Sequence, residues 1–492
     1  MDPERAYTEN HMSRQSCLPA ADAIVVGAGP NGLAAAIVMA QAGCSVNLLE
    51  LASSVGGGAR TAALTLPGFR HDVCSSVHPL AAGSPFFLSL PLHKYGLEWI
   101  HPSAPLAHPL DDGSAVMVER SVEKTAALLG RDGPAYSQMA GPLARYWKEL
   151  SADLLAPPHW PAHPLLMARF GLSGLRSARS FAAGKFTEEP ARALFAGMAA
   201  HSMLPLDWAA TASFGLVLML SAHAIGWPFP KGGSQAISNA LAACLEDLGG
   251  KIVLNHRVES LDDLPPARAI LCDVTPRQLL AMASDRLPSW YRKRLARYRY
   301  GPAAFKVDWA LNGPIPWSAS ECARAGTVHL GGTLAEIAAA ESDVHSGKHP
   351  EKPFVLLAQP SLFDPTRAPQ GQHTAWAYCH VPNGSSFNMA ERIETQIERF
   401  APGCRSRILA RSGISPTEYE LYNPNMIGGD INGGLQDLSQ LFLRPTARMY
   451  STPATGVYLC SSSTPPGGGV HGMCGYFAAQ RALRDLSGPS GR

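Results

Sequence analysis

Ala23-Ile24-Val25-Val26-Gly27-Ala28-Gly29-Pro30-Asn31-Gly32 is the stretch that decides the fold, and the chain around it can be read outward from there. Ala23 to Val26 is a short apolar run of the kind that makes a buried strand. Leu33 to Ala42 is apolar and rich in alanine, which suits a helix, and Gly43 ends it. Ser45 to Leu49 reads as a second strand, closed by Glu50. The order is strand, glycine turn, helix, strand, acid. Gly27 allows the tight turn, Gly29 lets backbone approach a pyrophosphate, and Gly32 allows close helix–strand packing. Pro30 and Asn31 lie between these glycines at the helix start and join the expected contact set. The start of a helix carries free N–H groups and partial positive charge, which suit phosphates. Glu50 stands 23 residues after Gly27, where a carboxylate can accept hydrogen bonds from ribose hydroxyls. An acid there disfavours a 2′-phosphate, and so NADP.

A second glycine cluster follows the acid: Leu51-Ala52-Ser53-Ser54-Val55-Gly56-Gly57-Gly58-Ala59-Arg60-Thr61. A nicotinamide dehydrogenase has no need of it. A third lies far away, where Val457-Tyr458-Leu459-Cys460 reads as a strand. It leads through Ser461-Ser462-Ser463-Thr464-Pro465-Pro466 and Gly467-Gly468-Gly469-Val470-His471-Gly472-Met473 into helical composition from Tyr476 to Leu486. Between them, Pro230-Lys231-Gly232-Gly233-Ser234 precedes a helix with Ile237, Leu241, Cys244, Leu245 and Leu248 on one face, and then a strand over Lys251–Val258. Ala267 to Cys272 reads as one more strand.

These segments resemble the large FAD-dependent family that contains amine oxidases and phytoene desaturases. The branch that looks nearest holds phytoene desaturases and pyridine nucleotide-disulfide oxidoreductase domain-containing proteins. The resemblance implies FAD as cofactor and a two-lobed α/β fold. One lobe is a split Rossmann-like FAD-binding domain, 21–80 with 229–285 and 445–487. The other is a mixed-sheet and helical substrate domain, 81–228 with 286–444. It further implies that Leu51, Gly57, Gly58 and Ala59 pass close to the cofactor and that Arg60 stands near its phosphate or flavin. Val258 offers backbone to the adenine, and Gly469, Val470 and Met473 offer amides to the flavin. Ser461 and Ser462 stand where the family usually has Gly and then an acidic or small residue. The ribityl contact there falls to a serine hydroxyl or to the main chain.

Three residues are candidates for proton chemistry. His471 lies inside the C-terminal motif, either facing the ring or packing the cofactor. Lys306 matches the lysine that amine oxidases keep near the flavin; as part of Lys306-Val307-Asp308 it also reads as a surface strand. His78 follows the first flavin region and is placed on a pocket wall. No metal cluster is visible. The ten cysteines contain no Cys-x-x-Cys, so dithiol chemistry is not expected.

Composition narrows the rest. Only 16% of the 492 residues are charged, and 41 basic against 39 acidic residues leave +2. That excludes global disorder and any broad nucleic-acid footprint. A mean hydropathy of −0.02 is too low for a polytopic membrane protein. The first twenty residues lack an apolar core and are expected to form a mobile leader. Residues 208–230 carry no formal charge and are expected to form a helix lining the substrate cavity, with a membrane span or membrane-apposed surface as alternatives. The run Arg286–Arg299 reads as a solvated helix face, with an anionic membrane or a partner, or a nucleic-acid patch, as alternatives. Pro134–Leu155 and Met389–Phe400 read as amphipathic helices.

The expected reaction is desaturation of a C–C bond in a hydrophobic, polyene-like small molecule, with hydride passing to FAD and oxygen or a quinone as acceptor. Amine or amino-acid oxidation and flavin-dependent isomerisation are the alternatives. A cytoplasmic location, with peripheral membrane contact open, is expected. A homo-oligomer also remains open.

Overall fold

The computed structural model describes residues 19–488. The leader expected over 1–20 lies, except for Pro19 and Ala20, outside the described residues. Twelve strands of three residues or more occur among those described: β1 (Ala23–Val26), β2 (Val46–Leu49), β3 (Ala104–Pro109), β4 (Ala115–Val118), β5 (Lys251–Val253), β6 (Ala269–Cys272), β7 (Ala303–Leu311), β8 (Ala325–Leu330), β9 (Val355–Ala358), β10 (His373–Val381), β11 (Ile408–Ile414) and β12 (Val457–Leu459). Five helices matter most: α1 (Pro30–Gln41), α2 (Pro164–Gly174), α3 (Thr211–Ala224), α4 (Gln235–Asp247) and α5 (Met473–Ser487).

A parallel sheet runs β12-β6-β1-β2-β5. Its strands come from three distant parts of the sequence, because parallel neighbours cannot be joined by a hairpin. Ala23 and Val25 face one way, against α1, α4 and α5. Ile24 and Val26 face the other way, against Leu279, Met282, Tyr291 and Leu295. Both faces are covered, which is why β1 reads as an unbroken apolar run rather than an alternating one.

A mixed sheet runs β11-β7-β10-β9-β8-β3-β4, antiparallel except where β8 lies beside β3. One face packs Leu106, Val118 and Leu356 against helical residues such as Phe195, Leu216 and Ile337. The other packs Phe305, Val307 and Trp309 against Ile393, Ile397 and Phe400. The architecture is the α/β, two-sheet organisation expected from the motifs.

Several local expectations change. The stripe over Pro134–Leu155 is two helices, Gly133–Arg145 and Trp147–Leu154, broken at Tyr146. Pro142 lies inside the first and has no N–H for the carbonyl of Gln138, which accepts from Arg169 Nη2 instead, at 3.0 Å. The strand expected over Lys251–Val258 stops at Val253. Asn255 there adopts φ +54°, and the Asn255 and His256 amides donate to the carbonyls of Ala52 and Glu50. The Met389–Phe400 face is not fully solvated. Glu394 is buried, where it accepts from Trp309 Nε1 and meets Arg411. In the basic run, Arg286 pairs with Asp262 and Arg299 with Asp437, so part of its charge is matched locally. The uncharged 208–230 segment holds only the fourteen residues of α3 as helix. No helix among the described residues is long and apolar enough to cross a membrane.

Candidate active site

The parallel sheet ends its strands at one edge, and the turns beyond β1, β2, β6 and β12 meet there. The turn after β1 is built tightly. A Cβ on Gly32 would lie 1.9 Å from the carbonyl oxygen of Gly27, and one on Gly29 would lie 2.8 Å from Asp273 Oδ2. Only bare backbone closes this turn and leaves the start of α1 open to a ligand. Glu50 Oε2 accepts from the Ala28 amide at 2.7 Å and Oε1 accepts from Ala52 at 2.9 Å. A carboxylate has about four acceptor positions, so Glu50 can still receive ribose hydroxyls. Arg60 is held by Glu50 and by the carbonyls of Ser54 and Val55, and lies over the Tyr422 ring.

A cavity of about 700 Å³ starts at this turn. Its wall includes Gly27, Gly29, Pro30, Asn31, Glu50, Leu51, Gly57, Gly58, Ala59, Arg60, Val258, Ser461, Ser462, Gly469 and Val470. Residues predicted from segments more than 400 positions apart are thus brought onto one surface. Gly32 and Met473 are not on the wall; Gly32 sits behind it as a packing glycine. The orphaned Oδ1 of Asn31 is buried without a hydrogen-bond partner while the residue lines the cavity. That unpaired acceptor and the cradle at Gly29 fit a dinucleotide.

The cavity continues between the two sheets. Its inner wall is Val77, Leu80, Leu218, Trp227, Leu356 and Trp376, with His78, His201, Lys306 and Tyr378 among them. Leu218 and Trp227 come from the uncharged 208–230 segment, which therefore lines the cavity. Trp376 and Tyr378, two residues apart on β10, stack with centroids 5.6 Å apart and planes 11° from parallel.

Lys306 is no surface residue. It is 1% exposed, its Nζ is paired with Asp308 Oδ2, and it lies 6.0 Å from the Trp376 ring centroid. The other oxygen of Asp308 faces His71 Nδ1 at 3.5 Å. Alternation on β7 places both side chains on one face of a sheet that is covered on both sides. His78 bonds Ser234 Oγ through Nε2 at 2.8 Å, and burial holds its pKa down to about 4.

His471, expected either to face the ring or to pack the cofactor, does not line the cavity. It is 1% exposed, and its Nδ1 accepts from the Met473 amide at 3.1 Å. The backbone at the start of α5 captures the imidazole.

Two residues were missed. Asp273 follows β6 directly and accepts from the Gly32 amide at 3.0 Å; burial and the charge of Glu50 push it up to about 7. The Cys272-Asp273 junction at a strand end was the available signal. His201 lies on the inner wall with Nε2 3.0 Å from Nε2 of the buried His329. Burial holds its pKa down to about 3. No sequence spacing links those two histidines.

Comparison with known proteins agrees with this geometry. Residues 25–86 match the model of the NAD(P)-binding Rossmann-like domain. The chain is 28% identical to mouse pyridine nucleotide-disulfide oxidoreductase domain-containing protein 2, over 95% of this chain and 94% of that protein. It is 26% identical to the lycopene-forming phytoene desaturase of Pantoea ananas, over 93% and 98%. Putrescine oxidase with bound putrescine has the same fold, with a TM-score of 0.60 at 18% identity, over 95% of this chain and 99% of that one. Fold, glycine motif and relatives agree on an oxidoreductase with a Rossmann-like dinucleotide-binding domain.

Proposed function

We propose that this chain is an FAD-dependent dehydrogenase that removes two hydrogens from a carbon–carbon bond of a hydrophobic, polyene-like small molecule, with oxygen or a quinone as the final acceptor. One observation carries the reading: the dinucleotide turn and an apolar chamber are parts of a single cavity. FAD, when bound, supplies the two-electron acceptor. The residues that would hold it are the amides at the start of α1, Glu50, the Gly57–Arg60 loop, Val258 and the Ser461–Val470 turn.

The chain's own contribution follows from the inner wall. Val77, Leu80, Leu218, Trp227 and Leu356 bind an apolar chain and keep water away from it. Removing hydride from one carbon leaves a proton to be taken from its neighbour. His201 is held neutral by burial and is therefore a weak base, so it serves to orient the substrate, and the proton would leave with the hydride to the bound cofactor or to solvent. Through Nε2 His201 shares a proton with His329 Nε2, which fixes the ring. Lys306 and Asp308 hold each other as a buried ion pair, and Lys306 gives the apolar part of the wall a charged group.

A second reading, amine oxidation, has one specific observation behind it: Lys306 beside the stacked Trp376 and Tyr378. The nine cysteines among the described residues are free thiols. The test is spectroscopic. Purified protein is expected to be yellow, to release FAD on heating, and to bleach anaerobically with apolar alkenes such as phytoene or limonene. Protein that carries stoichiometric NADP and no flavin would overturn the proposal. Bleaching by amines alone would select the second reading.

A further inference from the structure

The helix α2 is apolar apart from Arg169 and Ser173, yet only one side of it is covered. Phe170 and Gly174 face inward, and Gly174 sits so near α3 that a Cβ there would lie 3.3 Å from Ser213 Cβ. The outer side carries Leu165, Ala168, Leu172 and then Leu175, at spacings of three, four and three that keep them on one face. Leu165 is 88% exposed and Leu172 79% exposed, and Trp160 in the loop just before the helix is 85% exposed. Large apolar side chains clustered on one helical face are normally enclosed. Nothing among the described residues encloses the outer side.

The segment itself is basic, and the carboxylate beside Trp160, Asp153, is taken up by His159 Nε2 and the Ala162 amide. From residue 154 to 187 there is no Asp or Glu, while Arg169, Arg176, Arg179 and Lys185 are all basic. Arg179 meets Asp207, but Arg169 and Arg176 are held by the carbonyls of Gln138 and Ser180, which leave their positive charge unneutralised. An exposed tryptophan, exposed leucines and long arginines on the same helical face match the layers of an anionic bilayer surface, the leucines toward acyl chains and the guanidinium groups reaching up to headgroup phosphates.

We propose that Trp160 and the outer face of α2 dock this protein on the surface of an anionic phospholipid bilayer. The helix behind it, α3, carries Leu218 to the cavity wall. The bilayer would therefore lie two helices from the chamber, on the side where an apolar substrate dissolved in lipid is concentrated. Only this last link rests on the proposed function. The assignment moves the membrane-facing surface away from 208–230, which is interior, and from Arg286–Arg299, whose terminal arginines are paired with acids.

The test uses the full chain with sedimenting vesicles of phosphatidylcholine alone or of phosphatidylcholine and phosphatidylglycerol in a three-to-one mixture. Wild type is expected to sediment with the mixed vesicles. Leu165→Ser with Leu172→Ser is expected to weaken partitioning by about 100-fold, about tenfold for each leucine withdrawn from lipid. Arg169→Gln with Arg176→Gln is expected to abolish the preference for phosphatidylglycerol. Circular dichroism and the melting temperature check that the variants fold. If the serine variant does not fold, wild type minus Trp160→Phe gives the fluorescence of Trp160, which is expected to shift to the blue on adding mixed vesicles. Wild type left in the supernatant with both vesicles, an undiminished serine variant, or an unshifted Trp160 would each overturn the proposal. So would a wild-type dimer that the serine variant turns into a monomer, since the face would then be a contact between two copies. No substrate enters these readouts. Protein that binds vesicles but is bleached by no alkene keeps this assignment and loses the proposed reaction; the reverse pattern does the opposite.

Discussion

Gly32→Ala adds one methyl group at the tightest point of the dinucleotide turn. Its Cβ would lie 1.9 Å from the Gly27 carbonyl oxygen, where real Cβ atoms keep at least 3.0 Å, so the start of α1 must move by at least 1.1 Å. The clash is backbone against backbone, and no side chain can rotate away to relieve it. A shift that size breaks the aim of the amides at the helix start. Hydrogen bonds to a charged group contribute about 1.5–3 kcal/mol each. Losing the alignment of one predicts FAD binding weaker by a factor of about 10–150. Overpacking also predicts a stability loss of about 1–3 kcal/mol. Gly43→Ala is the control. It stands at φ +84° with nothing within 4 Å, so it costs stability by backbone strain but leaves the site alone. The assay is flavin absorbance per chain after gel filtration, with titration of FAD into the stripped protein and a urea midpoint. Gly32→Ala that retains full FAD and the wild-type midpoint would refute the reasoning, as would loss of FAD in Gly43→Ala.

Lys306→Met leaves Asp308 buried beside His71 without its cation, and a urea midpoint is expected to report a loss of about 3–5 kcal/mol. Adding Asp308→Leu to it should recover most of that loss; no recovery would mean that the two side chains are not coupled. Acid is expected to unfold the protein steeply. Burial holds His78, His108, His223 and His471 down to about 4 and His201 to about 3, against 6.5 for an unperturbed histidine. The unfolded chain therefore binds more protons in that window, and stability present above pH 6.5 is lost as the pH falls toward 4, on the order of 1–3 kcal/mol per histidine. His108→Gln should flatten the slope of stability against pH by about one proton, read from urea midpoints; an unchanged slope would contradict it.

Most of the dinucleotide end was legible because backbone does the work there, and glycines at fixed offsets report backbone geometry directly. Gly27, Gly29 and Glu50 predicted their own neighbours. The inner chamber was less legible. Lys306 reads as a surface lysine because nothing in Lys306-Val307-Asp308 shows that β7 lies between two covered faces. His471 sits inside a cofactor motif, but a neighbouring amide claims its ring. Asp273 and His201 act through partners 241 and 128 positions away, Gly32 and His329, and no local pattern encodes such a pairing. The outer face of α2 was invisible for another reason: an apolar stripe reads as core until the structure leaves it uncovered.

The central claim joins a flavin to an apolar chamber in one cavity. The most direct measurement is the anaerobic visible spectrum of the purified protein mixed with an alkene such as phytoene delivered in mixed phosphatidylcholine and phosphatidylglycerol vesicles, with the product read by mass spectrometry. Loss of the flavin band together with a product lighter by two hydrogens is the predicted result. A flavin band that persists with every alkene, yet disappears with an amine, would contradict it.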